Sequence, residues 1–313
     1  MSKATRAALG ETLIELVDRG LDIMAVDADL AGSTTTAKFG AVYPQRLIEV
    51  GVAEQNMIDV AAGLSLAGKI AFTGSFAVFG TGRAYDQIRN TVCYNDLNVK
   101  LAPTHAGVTV GPDGGSHQML EDIALMRVLP RMRVLVPADY PSAKAALRLA
   151  AETPGPFFVR LGRAGVPELY AADDRFEVGK AKVLRAGSDV TIVACGVEVS
   201  AALEAADTLA AQGVSAEVID AFSIKPLDTD TILASASKTG HVVTCEEHNI
   251  IGGLGSAVAE TLGEGGPCPL QRVGVKDRFG QSGEPDELLH YFGLDAQAII
   301  EAVDHVQRVW RKP

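Results

Sequence analysis

Short apolar segments recur along this chain, most of them separated by stretches of helical periodicity, and that alternation limits the possible folds more than any other feature. Residues 4–18 place Ala8, Leu9, Thr12, Leu13, Leu16 and Val17 at helical spacing and end at Gly20. Residues 23–26 read as a buried strand, 27–36 as a polar loop, 46–50 as a strand feeding a helix at 53–67, and 69–73 as another strand. Helical patterns follow at 83–94, 116–129 and 142–152, with extended segments at 99–103, 134–136 and 157–159. Parallel strands need long crossovers, so this order predicts a mostly parallel, doubly wound α/β sheet. A Gly-, Pro- and Asp-rich break at 165–188 ends in a hairpin-like K-A-K-V-L-R-A-G-S-D. A second α/β unit then runs through strands at 190–193, 216–219, 242–245 and 270–275, helices at 198–211, 228–237 and 254–262, and terminal helices. The expected organisation is two doubly wound, mostly parallel-sheet domains, 1–170 and 189–313, joined by a linker at 171–188, which 313 residues can supply with full cores.

Charge and cysteine usage narrow the function classes. A net charge of -11 argues against a nucleic-acid footprint, which needs a basic surface, but leaves room for a local basic pocket. The four cysteines, Cys93, Cys195, Cys245 and Cys268, form no C-x-x-C pair, so buried reduced thiols are expected rather than a disulfide framework. The N-terminus opens into an amphipathic helix without a signal-like apolar core, and the least polar stretch, 57–80, is broken by Asp59, Lys69 and several glycines. The expected location is cytoplasmic, with no membrane contact.

Two segments carry the chemistry. V-G-V-A-E-Q-N-M at 50–57 sets Glu54 just inside a helix that follows a strand, and ligand sites in α/β sheets lie beyond the carboxyl ends of strands. Phe76 and Phe79, in T-G-S-F-A-V-F-G, could flank a flat heterocycle. Alone, Glu54 is one acid among 39 and reads first as a carboxylate favoured by a helix N-terminus; the strand before it and the aromatics after it change that weighing. T-H-A-G-V-T-V-G-P-D-G-G-S-H-Q at 104–118 strings His105, Asp113 and His117 along a glycine-rich loop. His117 and Glu121 are spaced i, i+4 on the expected helix, yet no second convergent pair completes a metal site.

Together these segments resemble the pyrimidine-binding part of transketolase-type, thiamine-diphosphate-dependent enzymes. The resemblance implies that Glu54 hydrogen-bonds a ring nitrogen of the cofactor's aminopyrimidine, favouring the imino tautomer that takes up the thiazolium proton. A carboxyl in an apolar, aromatic-lined site can share that proton at neutral pH. Phe76 and Phe79 match the family's aromatic pocket, whereas Gly82 stands where a third aromatic is common. Asp113 and His117 match residues that hold the sugar donor's hydroxyls and carbonyl oxygen, and Asp29 matches another near those hydroxyls. Arg6, Ser33, His105 and Arg163 match positions around the substrate's phosphate, a role that suits two guanidinium forks, a hydroxyl and an imidazole.

The family's diphosphate-binding G-D-G…N arrangement, which ligates magnesium or calcium, does not occur here; the nearest string, Pro112-Asp-Gly-Gly, belongs to the loop already assigned. The resemblance therefore implies an N-terminal partner subunit that holds the diphosphate and Mg2+ or Ca2+, in an α2β2 heterotetramer. Residues 190–313 resemble the family's C-terminal domain through V-T-I-V-A-C-G and H-V-V-T-C-E-E-H-N-I-I-G-G-L-G. Gly253-Leu-Gly255 lacks the third glycine of a dinucleotide loop, with Val258 in its place, so it reads as a packed turn. Glu246, Glu247 and His248 could line an interface or cap a strand, and capping is the expectation.

The implied activity is that of a split transketolase's C-terminal subunit, moving a two-carbon ketol unit between sugar phosphates in pentose phosphate or other carbohydrate metabolism. Two rivals share these domains: the β subunit of a 2-oxo acid dehydrogenase E1 component, which acts on non-phosphorylated oxo acids, and a 1-deoxyxylulose-5-phosphate synthase-like enzyme. A non-catalytic subunit is a third possibility, which an intact Glu54 and donor loop disfavour.

Overall fold

The computed structural model describes residues 2–309. In chain order the first part comprises β1 (Ser2–Ala4), α1 (Ala8–Asp18), β2 (Ile23–Asp27), α2 (Ala31–Thr34), α3 (Thr36–Val42), β3 (Leu47–Glu49), α4 (Glu54–Leu66) and β4 (Ile70–Gly74). It continues through β5 (Val99–Leu101), α5 (Asp122–Arg127), β6 (Arg133–Leu135), α6 (Tyr140–Glu152), β7 (Phe157–Val159) and β8 (Gly165–Pro167). The second part comprises β9 (Lys182–Arg185), β10 (Val190–Ala194), α7 (Glu198–Ala211), β11 (Ala216–Asp220), β12 (Ser223–Lys225) and α8 (Thr229–Thr239). It ends with β13 (Val242–Asn249), α9 (Leu254–Gly265), β14 (Leu270–Val275), α10 (Pro285–Phe292) and α11 (Ala296–Val309).

Two main sheets result, one of seven strands in the order β12-β6-β7-β5-β4-β2-β3 and one of five in the order β14-β13-β10-β11-β9. All internal pairings are parallel, and each sheet carries one antiparallel edge strand, β12 against β6 and β9 against β11. The doubly wound α/β expectation is met in both halves.

Local chemistry explains the elements that flank the site. Helix α1 turns Leu9, Leu13 and Leu16 to the core, all fully buried. Helix α6 starts from a capping box in which Asp139 and Ser142 bond each other's backbone N–H. Residues 23, 47 and 70 each begin a strand of one parallel group, so Asp27, Glu49 and Gly74 lie in register at its carboxyl edge.

Several expectations are corrected. Residues 116–129 are not one helix: α5 covers only Asp122–Arg127, because the run of Gly111, Gly114 and Gly115 gives a 3-10 segment at Val108–Asp113 and then turns. His117 therefore precedes the helix and shares no helical face with Glu121. The polar stretch 27–36 folds into the short helix α2 and the start of α3, held by Asp27, whose carboxylate accepts from Thr34 and Thr36 hydroxyls. Residues 83–94 lie in π-helical turns, Val78–Arg83 and Gln87–Cys93, and Arg6 lies in a 3-10 turn ahead of α1. No hairpin forms around 180–189, since β9 crosses to β11 instead. The strand β12 was not anticipated; it leaves the second half of the chain to extend the first sheet. Residues 310–313 of the expected second domain lie outside the described residues.

Candidate active site

Glu54 opens α4, and its side chain is only 2 % exposed. One guanidinium nitrogen of Arg83, Nη1, donates to both of its oxygens at 2.9 Å. Arg83 also lies over the Phe79 ring, 4.5 Å from the ring centre. Phe79 stacks on Phe76 at 6.0 Å, and Phe76 stacks on His105 at 3.7 Å. His117 meets both phenyl rings edge-on, at 5.3 Å from Phe79 and 6.3 Å from Phe76. A continuous wall thus runs from the buried carboxylate through two aromatic rings to the loop histidines.

His105 continues that wall into a cationic corner. It sits in the left-handed region with φ 61°, a conformation costly for a residue with a Cβ and tolerated where surroundings hold it. Arg6 Nη1 contacts its Nε2 at 3.3 Å and donates to the Ser33 carbonyl at 2.8 Å. Arg163 Nη1 donates to the Val110 carbonyl at 2.7 Å. Burial, and then the charges of Arg6, Arg163 and His117, push the His105 imidazole down to about 3. Burial and the neighbouring Arg163 charge likewise lower the Arg6 guanidinium. Two cations held this close in a half-buried corner make a ready site for an oxyanion.

The structure therefore gathers Glu54, Phe76, Phe79, His117, His105, Arg6, Ser33 and Arg163 along one surface. Asp29 and Asp113 are exposed, and among the described residues no side-chain hydrogen bond or ion pair joins them to it; Asp29 donates its backbone N–H to Glu49. At Gly82 an added Cβ would meet nothing within 4 Å, so that side of the pocket is open.

A thiamine pyrimidine fits these residues. The stacked rings offer a flat face, and Glu54 offers a carboxylate whose only ion-pair partner among the described residues is the half-exposed Arg83. No group of three or more His, Cys, Asp or Glu placed to hold a metal occurs among the described residues.

Sequence reasoning missed two features. Arg83 sits one helical turn beyond Phe79, a spacing that could have flagged it. The other is the set of buried groups behind the loop. Glu247 of β13 accepts the Thr109 N–H at 2.6 Å, and Arg160 donates to Asp122 at 2.8 Å and to the Glu247 carbonyl at 2.9 Å. Burial lowers the Arg160 guanidinium, but the Asp122 and Glu247 charges more than restore it. His248 Nε2 accepts the Ala124 N–H at 3.3 Å. Glu246 binds the first N–H groups of α9, at Leu254 and Gly255. Rather than capping their own strand, Glu247 and His248 fasten the 104–118 loop and α5 to the second sheet, while Glu246 caps α9. Gly253 is the N-cap of α9 and Gly255 lies in its first turn rather than in a loop; the expected tight packing holds, since a Cβ at Gly253 would strike Glu246 and one at Gly255 would strike Arg272 and Thr244.

No helix of the described residues is long and apolar enough to cross a membrane. Comparison with known proteins gives matches to the family models of the transketolase pyrimidine-binding domain over residues 1–168 and the transketolase C-terminal domain over residues 179–299. A putative transketolase C-terminal section from Methanocaldococcus jannaschii is 49% identical over 96% of this chain and 95% of its own. A 6-deoxy-6-sulfo-D-fructose transketolase subunit from a Clostridium species, strain MSTE9, is 45% identical over 95% of this chain and 92% of its own. Among solved structures, a split-gene transketolase described as an inactive β4 tetramer superimposes with a TM-score of 0.91 at 50% identity, covering 99% of this chain and 100% of that one.

Proposed function

This chain belongs to the transketolase family, as the C-terminal subunit of a split transketolase, and on that premise we propose that it transfers a two-carbon ketol unit between sugar phosphates together with an N-terminal partner subunit. The observation that carries the reading is the continuous wall from buried Glu54, across Phe79 and Phe76, to the Arg6–His105–Arg163 corner. One end suits a flat heterocycle and the other an anionic sugar terminus.

Thiamine diphosphate, when bound, supplies the electron sink for breaking and making the carbon–carbon bond. Phe76 and Phe79 flank its pyrimidine, and Glu54 holds and exchanges a proton at its carboxylate. The partner subunit holds the diphosphate and a divalent metal, Mg2+ or Ca2+. His117, at the rim of the aromatic wall, holds the donor's oxygen and moves a proton there, with Asp113 and Asp29 binding hydroxyls. Arg6, Ser33 and Arg163 anchor the phosphate, and His105 positions Arg6 by accepting its N–H.

The β4 tetramer of the split-gene neighbour is described as inactive, which supports dependence on a second chain and an α2β2 active form. The sulfo-sugar relative favours a second reading of the corner, as a sulfonate site. A sulfonate carries one negative charge where a phosphate dianion carries two, yet offers the same three oxygens to the guanidinium forks.

The deciding experiment mixes this chain with the candidate N-terminal subunit, thiamine diphosphate and Mg2+, and follows ketol transfer from xylulose 5-phosphate to ribose 5-phosphate. Activity in the mixture and none in either chain alone is expected. Decarboxylation of pyruvate or a branched oxo acid in its place would sink the reading in favour of a dehydrogenase subunit.

A further inference from the structure

We propose that Arg83 is a displaceable latch on Glu54, occupying the carboxylate face that the cofactor's aminopyrimidine takes, so that cofactor binding is an exchange with this arginine. The inference rests on the functional reading above and adds a determinant of cofactor affinity on this chain.

Three observations support exchange rather than a permanent pair. First, Arg83 serves both Glu54 oxygens through Nη1 alone, at 2.9 Å each. That is a three-centre contact, weaker than the parallel two-nitrogen fork arginine makes with a carboxylate it is built to keep. Second, the pair is lopsided in burial: the Glu54 side chain is 2 % exposed and that of Arg83 51 % exposed. The carboxylate cannot leave, whereas the guanidinium can swing into solvent. Third, in the same pose the guanidinium lies 4.5 Å over the Phe79 ring, so one side chain covers both the carboxylate and an aromatic face of the proposed pyrimidine site, and Gly82 beside it leaves open space into which it can move. The chemistry requires departure. The guanidinium already occupies both Glu54 oxygens, so a ring nitrogen and Arg83 compete for the same carboxylate.

The test is calorimetric titration of thiamine diphosphate, with Mg2+, into the two-subunit assembly carrying wild-type Arg83, R83K or R83Q. R83Q should bind the cofactor about tenfold more tightly, since the competing charge-assisted hydrogen bond is gone. R83K, which keeps the charge but not the planar guanidinium, should fall between. Unchanged or weaker binding by both variants overturns the latch, because Arg83 would then be indifferent to the cofactor or in contact with it. The two readings fail differently: a wild-type assembly that does not bind the cofactor overturns the function and the latch together. A wild-type assembly that binds, with no gain in either variant, overturns the latch alone.

Discussion

Arg6 donates to the Nε2 of His105 at 3.3 Å, and that single contact fixes the state of the ring. A guanidinium can only donate, so Nε2 must accept; the proton then sits on Nδ1, which faces the Thr104 hydroxyl at 2.7 Å. His105 is thus a neutral buttress for Arg6, in keeping with an imidazole pushed down to about 3.

The first prediction concerns acid stability. An unfolded chain takes up a proton on His105 near the ordinary imidazole value of about 6.5, whereas the folded chain resists until about 3. Within that window the unfolded state binds more protons. His105 therefore contributes stability that is intact above about pH 6.5 and is lost as the pH falls toward 3, by up to roughly 1.4 kcal/mol per pH unit. Urea midpoints at a series of pH values between 4 and 7 should fall less steeply for H105Q, whose amide oxygen can still accept from Arg6. Equal slopes for both proteins would refute the assignment.

Glu54 gives the second. In the assembled enzyme, E54Q should lower kcat by about 10²- to 10⁴-fold, the usual contribution of a positioned acid–base group. Its melting temperature should stay close to wild type, because the amide keeps the size and one acceptor for Arg83. A variant with near-normal turnover would remove Glu54 from the chemistry.

The third separates anion binding from catalysis. Arg163 donates to the Val110 carbonyl through Nη1 alone, so its guanidinium has donors to spare. R163A should raise KM for a phosphorylated donor about 10- to 100-fold with little change in kcat, the loss of a hydrogen bond to a charged group. A donor with a plain hydroxyl at that end should respond far less. Steady-state kinetics with phospho-, sulfo- and unmodified sugars would show which anion the corner prefers. Equal effects on all three would mean that Arg163 supports the loop rather than the substrate.

Legibility in the sequence followed how local each determinant is. Helix α7 and strands β7 and β14 occupy the spans that periodicity predicts, because each is a single uninterrupted apolar pattern. Strand β12 was invisible, since three residues ending at Lys225 carry no period, and their pairing with β6 joins segments 88 or more residues apart. The 116–129 stretch misled because His117, Leu120 and Glu121 have helical spacing, while the glycines before them set the backbone. At the site, Glu54 and the two phenylalanines were readable from neighbouring residues. The Arg83–Glu54 pair spans 29 positions and the Arg160–Glu247 contact 87, so neither pairing leaves a local trace, although the spacing from Phe79 marks Arg83 itself.

That long-range contact supplies the last prediction. Arg160 is buried between Asp122 and Glu247, with its side chain 6 % exposed and theirs at 0 % and 2 %. Replacing it by methionine would fill the space but strand two carboxylates, so R160M should cost about 3–5 kcal/mol. E247Q should cost less, because the glutamine oxygen still accepts the Thr109 N–H and only the charge facing Arg160 is lost. Gly107 tests the same junction from the backbone. Its φ is +80°, and a Cβ there would lie 2.1 Å from the Glu247 carboxyl carbon, so G107A should destabilise on both counts. Denaturant midpoints for the three variants should rank R160M well below E247Q, with G107A also below wild type. Because Glu247 and Arg160 hold the loop that carries His117, R160M should also lose ketol transfer at temperatures where it remains folded. An R160M protein as stable as wild type would show that the buried cluster is dispensable and that apolar packing alone joins the loop to the second sheet.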